Sequence, residues 1–200
     1  MSEIKASTET TLIIFALEEE SRGLFDKFNV LYTGVGKVNA AYNLMLGLNA
    51  WKEKHGAYPE LVLNIGSAGS SLFKHGTIVN CTQFIQRDMD ATAFGHCRFA
   101  TPNEDSSPVF SAGLRCEEFT QAVCGSGDSF ATDGTMHGWN TVDMEAYALA
   151  KVCVGQKVPF CCLKYISDSG DEDASGHWDK AMLSMAQKLH DAVSDILKKS

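Results

Sequence analysis

This 200-residue chain has little positive charge: 17 lysines and arginines stand against 25 aspartates and glutamates, for a formal net charge of −8. Phosphate backbones are gripped by clustered Lys and Arg, so this balance argues against nucleic acid or an anionic membrane as partner. Long apolar runs are missing too. The first ten residues, Met1 to Thr10, are polar with no hydrophobic stretch behind them; no secretion signal or membrane anchor is expected, and a cytoplasmic location is. Metal-ligand spacings are absent: there is no C-x-x-C, H-E-x-x-H or H-x-E, and the six histidines are dispersed, so no metal is expected. The seven cysteines are odd in number and mostly embedded in apolar segments such as Phe160-Cys161-Cys162-Leu163, which reads as reduced core thiols. With four prolines, no repeat and no low-complexity tract, nothing marks a boundary. One domain over residues 1–200 is expected, with 1–10 as a flexible N-terminus.

What the sequence does contain is alternation. Short apolar runs rich in β-branched residues are followed by helical patterns: Thr11 to Ala16, then a helix from about Glu18 to Lys27; Val30 to Thr33, then a helix from about Lys37 to Lys52. Leu61 to Ile65 reads as a strand covered on both faces and running into a loop, Gly66 to Ser70. Thr77 to Ile85, Gln121 to Cys124 and Phe160 to Ile166 are further strand candidates, and Met144 to Cys153 a helix. In the C-terminal stretch Met182, Met185, Leu189, Val193 and Ile196 fall at spacings of three and four, one apolar stripe that should pack on the sheet. The fold class expected is α/β, a single-domain, mixed, largely parallel central sheet flanked by helices. Ligands of such sheets sit where strands end, so Glu18-Glu20, Gly66-Ser70, Gly125-Phe130 and Ser167-Asp173 are the places for chemistry.

Thr33-Gly34-Val35-Gly36-Lys37 lacks both the Walker pattern and the third glycine of G-x-G-x-x-G, and reads as a tight strand-to-helix turn. The acidic cluster Asp168, Asp171, Glu172 and Asp173 lacks EF-hand order and reads as a solvated turn, apart from Asp168 directly after the strand. Burial at a strand end disfavours the ionised carboxylate, which makes Asp168 a candidate general acid. Glu18, Glu19 and Glu20 are either first-turn helix acids or include one that faces the strand-end cleft. Asp143 and Glu145 bracket Met144 where a helix begins; residues two apart on a helix point in different directions, so at most one is expected to face a shared pocket. Phe130, after Asp128-Ser129, is either a core residue or a base-stacking one.

Six segments, Ala16-Leu17-Glu18-Glu19-Glu20, Thr33 to Val38, Asn64 to Gly69, Ser126 to Phe130, Val142 to Ala146 and Ile166-Ser167-Asp168, together resemble the methylthioadenosine/S-adenosylhomocysteine nucleosidase branch of the nucleoside phosphorylase superfamily. The resemblance implies hydrolysis of the N-glycosidic bond of a 5′-substituted adenosine to free adenine and a ribose thioether, with no cofactor. It implies that Asp168 protonates N7 of the purine and that Glu20 orients or deprotonates the attacking water, with Ser167 supporting the base or Asp168. Glu145 would accept from the ribose hydroxyls beside Asp143, Met144 would pack on the sugar, Phe130 would stack on the base and the Ala131 backbone would read its edge. Ser67, Ala68 and Gly69 would line the site beside the water. Arg87 to Gly95 resembles a stretch that reaches a neighbouring subunit's 5′ pocket, implying a homodimer with Phe94 as a contact across it.

Departures accompany the likeness. The stretches from Glu20 to Thr33 and from Phe130 to Val142 are compressed, Asp143 stands where the branch commonly has Glu, and Lys164 where Arg is frequent. Phosphorylases of the superfamily carry an Arg just before the Ile/Val-Gly-Ser of the third-strand loop and a glycine in the first loop. Here those places are Asn64 and the Glu-rich turn, which favours water over phosphate. A phosphorolytic purine-nucleoside enzyme and a non-catalytic nucleoside-binding protein are the rival readings. Cys97, His96, Trp139 and Trp178 acquire no role.

Overall fold

Every residue from Thr11 to Phe15 is buried, but in two different cores. Leu12 and Ile14 join one apolar cluster and Ile13 and Phe15 another, because side chains of an extended strand alternate between the two faces of its sheet. The structure is a computed structural model that describes residues 6–104, 107–131, 134–169 and 174–198, without the side chains of 174–181 and 183. Its strands are β1 (Thr11–Phe15), β2 (Asn29–Tyr32), β3 (Leu61–Gly69), β4 (Ile78–Gln86), β5 (Phe110–Ser111), β6 (Thr120–Ser126), β7 (Thr141–Asp143) and β8 (Phe160–Asp168). Its helices are α1 (Glu18–Ser21), α2 (Lys37–His55), α3 (Ala146–Gln156) and α4 (Ala174–Lys198). The acidic turn Asp171, Glu172 and Asp173 and the Trp178 side chain lie outside the described residues.

The strands form one mixed sheet in the order β2-β1-β3-β7-β6-β4-β5, with β8 pairing both β3 and β4. Those pairings join β3, β8, β4, β6 and β7 into a ring, extended on one side by β1 and β2. The β1–β2, β1–β3, β3–β8, β4–β6 and β6–β7 pairs are parallel, as expected of a largely parallel sheet. Helices α2 and α3 cover one face: Ala40, Leu44 and Leu48 of α2, four residues apart, join Leu149 and Cys153 of α3 over Val62, Phe84 and Cys162. Helix α4 covers the other, with Met182, Met185, Leu189, Val193 and Ile196 against Ile13, Leu63 and Leu163. Burying each such side chain contributes about 1.5–3 kcal/mol. Among the described residues no helix is long and apolar enough to cross a membrane. All seven cysteines are free, six of them buried.

Three expectations need correction. The first helix stops at Ser21 rather than near Lys27, because Arg22 (φ 51°) and Gly23 (φ 71°) take left-handed backbone that ends it. The segment Gly66 to Gly69 is strand, not loop, since it keeps pairing with Lys164 to Asp168 of β8. That same pairing carries β8 two residues beyond Ile166 and makes Asp168 its last residue. The short β7, which the sequence did not announce, pairs with β6 and touches β3 at Gly69.

Candidate active site

The loop after β1 turns at once into the single turn α1, and this tightness aims Glu20 back at its own chain. Glu20 is buried at 4% exposure, while its neighbours Glu18 and Glu19 face solvent as ordinary first-turn acids. Its Oε2 accepts from the backbone N–H of Ala16 and Leu17, each at 3.2 Å. Its Oε1 accepts from the N–H and Oγ–H of Ser67 at 3.0 and 3.1 Å. The approach to β3 needs Gly66: a Cβ there would lie 3.0 Å from Oε1. A carboxylate held by four neutral donors keeps a fixed orientation, since each charge-assisted bond contributes about 1.5–3 kcal/mol.

Asp168 ends β8 beside the end of β3 and is also 4% exposed. The hydroxyl of Ser167 donates to its Oδ2 at 2.7 Å and also reaches the Ala68 carbonyl at 3.4 Å, so Ser167 ties Asp168 to the neighbouring strand. Ser167 is buried behind the cavity wall; Asp168 is on it.

Asp143 and Glu145 both face the cavity, against the expectation that at most one would. The helical argument failed because neither is inside a helix. Asp143 ends β7, and Glu145 is the residue before α3 with non-helical backbone (φ −133°, ψ −38°). Asp143 accepts a close hydrogen bond from Ser126 Oγ, caps α3 by accepting from the Ala146 N–H at 3.0 Å, and forms an ion pair of 2.9 Å with Lys164 Nζ. Burial works to raise its carboxyl, but the Lys164 charge and these bonds overcome that and hold it below the usual carboxylate range. Burial opposes the charge on Lys164 in the same way; the carboxylate of Asp143 prevails and keeps it protonated.

Glu145 lacks such a partner of its own. Burial first, and then the Asp143 charge, push its carboxyl up to about 7, partly offset by Lys164 and by the Gly36 N–H, which donates to Oε1 at 2.8 Å. Gly36 sits at φ 93° in the turn between β2 and α2, so the glycine-rich turn is indeed a backbone device, and its N–H serves a carboxylate. The same turn is clamped by Lys37, whose Nζ lies 2.6 Å from Asp88 and 2.9 Å from Asp128.

These groups enclose one cavity of about 260 Å³, on the scale of a small-molecule site. Glu20 and Asp168 share it with Ser67, Ala68 and Gly69 along β3, with Met144 between the two β7–α3 acids, and with Phe130 and Ala131 on the loop after β6. Phe130 is half exposed (49%) rather than core. Phe94, on the 3-10 turn Thr92–Phe94, is 85% exposed and not part of this chain's own cavity. Trp139 is buried under the site against Ile85 and Val142. Two charged cavity residues, Lys164 and Arg87, carried no assigned site role from sequence. Lys164 was visible as a lone cation in an apolar strand, the usual mark of a buried ion pair. Arg87, assigned to a subunit-crossing stretch, lines this chain's own cavity.

A family model, that of the Phosphorylase superfamily, matches residues 21–200. The 5′-methylthioadenosine/S-adenosylhomocysteine nucleosidase of Exiguobacterium sp. strain AT1b is 32% identical over 174 residues, covering 76% of this chain and 71% of that relative. The enzyme of the same name from Geobacillus kaustophilus is 30% identical over 202 residues, covering 90% and 83%. Among solved structures, the Helicobacter pylori 5′-methylthioadenosine/S-adenosylhomocysteine nucleosidase superposes with a TM-score of 0.80 at 21% identity, covering 97% of this chain and 100% of that one. The chain therefore belongs to the phosphorylase superfamily, in its methylthioadenosine/S-adenosylhomocysteine nucleosidase branch.

Proposed function

We propose that this protein hydrolyses the N-glycosidic bond of a 5′-substituted adenosine of the methylthioadenosine or S-adenosylhomocysteine type, releasing adenine and the ribose thioether. The observation that carries the reading is the sharing of one cavity by two buried carboxylates distant in the chain, Glu20 of α1 and Asp168 at the end of β8. Breaking a nucleoside C–N bond develops positive charge on the ribose and negative charge on the base, so a catalyst gains by protonating the base and placing anionic groups at the sugar. Asp168, held by Ser167, donates its proton to purine N7. Glu20 orients the water that attacks the anomeric carbon and accepts its proton. Glu145 takes the ribose hydroxyls with Met144 against the sugar, Phe130 stacks on the base and the Ala131 backbone reads its edge. Ser67, Ala68 and Gly69 form the wall beside the water, and Asp143 positions Glu145 through Lys164 and the start of α3.

Water rather than phosphate is favoured by who already occupies the donors. The Ser67 N–H and hydroxyl, suited to an oxyanion, are taken by the Glu20 carboxylate, which would repel phosphate. Asn64 turns its amide to the Ile14 carbonyl and accepts from Cys162 Sγ, offering no cation. The test is base release from methylthioadenosine and S-adenosylhomocysteine with and without phosphate. Release independent of phosphate is expected; strict phosphate dependence, or binding without release, would overturn the proposal. Asp168→Asn should slow turnover by about two to four orders of magnitude, and near-wild-type rates would remove Asp168 from the mechanism.

The working state is proposed to be a cytoplasmic homodimer. Val38, Tyr42 and Leu46, exposed at 77%, 63% and 50%, make an apolar stripe along α2 opposite the face that packs on the sheet, and Val35, 40% exposed, precedes it in the turn. Such a stripe suits a second copy, with Phe94 reaching the neighbour's 5′ pocket. Sedimentation as a monomer at micromolar concentration would defeat this pairing.

A further inference from the structure

Two cations line the cavity, and they differ in company. Lys164 is neutralised by Asp143. Arg87, at the end of β4, has no carboxylate within ion-pair reach among the described residues. Its guanidinium donates to the Gly127 carbonyl at 3.3 Å, to the Ser129 hydroxyl at 3.2 Å and closely to the Ser129 carbonyl, while its buried Nε meets no acceptor. Asp88, next to it in the chain, and Asp128, between its partners Gly127 and Ser129, are engaged by Lys37 instead. The loop is shaped around this arginine: a Cβ on Gly127 would fall 2.9 Å from its Cγ and Cζ. A guanidinium braced by neutral carbonyls keeps its full charge, and in a cavity wall that charge is matched best by an oxyanion of the ligand.

The chemistry of the substrate says where such an oxyanion sits. Adenine and the ribose hydroxyls are uncharged, and the hydroxyls have Glu145. An attacking phosphate would have to stand on the Glu20 side, yet β3 and β8 lie between β1, which leads to Glu20, and β4, which leads to Arg87. What is left is the group at C5′. We propose that Arg87 forms a subsite for a carboxylate carried at the end of the nucleoside's 5′ substituent, making the enzyme selective for anionic 5′ tails. This inference rests on the nucleosidase reading above.

The test compares two adenosine 5′-thioethers, one ending in a carboxylate and the other in its methyl ester, by calorimetric Kd and by kcat/KM, for the wild type, Arg87→Lys and Arg87→Met. The wild type should prefer the carboxylate by about ten- to a hundredfold, the scale of one charge-assisted contact. Arg87→Lys should keep part of that preference and Arg87→Met should abolish it. Equal affinity of the wild type for both compounds, or a preference that survives in Arg87→Met, overturns the subsite. Inorganic phosphate is titrated alone: binding to the wild type that disappears in Arg87→Met would assign the site to a free anion and overturn the 5′-tail proposal. The calorimetric arm needs no turnover. A carboxylate preference without base release would therefore retain the subsite and defeat the hydrolase, whereas base release without preference would do the reverse.

Discussion

On the β1–β3 side of the cavity, Glu20 is surrounded by neutral donors: three backbone N–H groups and one hydroxyl. On the β7–β8 side, Asp143 and Glu145 lie around a single buried ammonium, that of Lys164. Both arrangements keep carboxylates inside the protein, by different physics. Peptide dipoles orient an anion without a mobile counter-charge, and they are fixed by the fold itself. An ion pair in a dry place is strong only while both partners remain, because each alone has lost its hydration. The first side suits a group that must handle water during a reaction; the second suits a group that must hold one position.

Substituting one group on each side breaks the comparison where the expected effects are largest. Glu20→Gln keeps the shape but replaces one acceptor oxygen by an NH2 that must face N–H donors. Turnover should fall by about two to four orders of magnitude, with the fold retained by circular dichroism. A rate within a few-fold of wild type would take Glu20 out of the chemistry. Lys164→Met should act in the opposite sense, on the fold before the rate. It strands the buried Asp143 carboxylate and should cost about 3–5 kcal/mol in urea unfolding, while Asp143→Asn combined with Lys164→Met should recover most of it. If the double variant is no more stable than Lys164→Met alone, the pair is not what holds the β7–β8 side.

The two sides were also unequally legible. Strands β1 and β8 and the stripe of α4 announce themselves because their burial is nearly complete and their periods are regular. Asp168 follows directly from β8, being the acid found where that strand ends; after β1 three acids stand in a row, Glu18, Glu19 and Glu20, and only the family resemblance singled out Glu20. Strand β7 has three residues, Thr141 to Asp143, too few for any period to show. Its presence decides that Asp143 and Glu145 face the same way, so a helical spacing argument put one of them outside the site. The Gly66–Gly69 continuation of β3 was hidden for another reason: glycine and serine look like loop, and only the neighbouring β8 supplies the partner that keeps them extended. Arg87 was readable as a residue but not as a wall, since its role depends on Gly127 leaving room across the loop.

Glu145 carries the smallest and most diagnostic effect, because it feels both sides. Its carboxyl is raised to about 7 by burial and by Asp143, with a further push from Glu20, against the pull of Lys164 and the Gly36 N–H. In its proposed role as acceptor for the ribose hydroxyls it is needed ionised, so kcat/KM should decline below pH 7, by up to about tenfold per unit. Stability runs the other way. A carboxyl raised in the fold binds its proton more tightly there than in the unfolded chain; that stabilisation is complete below the ordinary value of 4.5 and is lost as pH rises through 7. Glu145→Gln carries no charge to bury, so relative to wild type it should gain stability between pH 4.5 and pH 8, by at most about 3 kcal/mol, while losing the acidic limb of the rate profile. Thermal unfolding at the two pH values, with the profile alongside, checks both signs. An unchanged acidic limb in Glu145→Gln would mean that some other group on the cavity wall sets it, and a gain in stability at pH 4.5 equal to that at pH 8 would mean that ionisation of Glu145 is not the cost the fold bears.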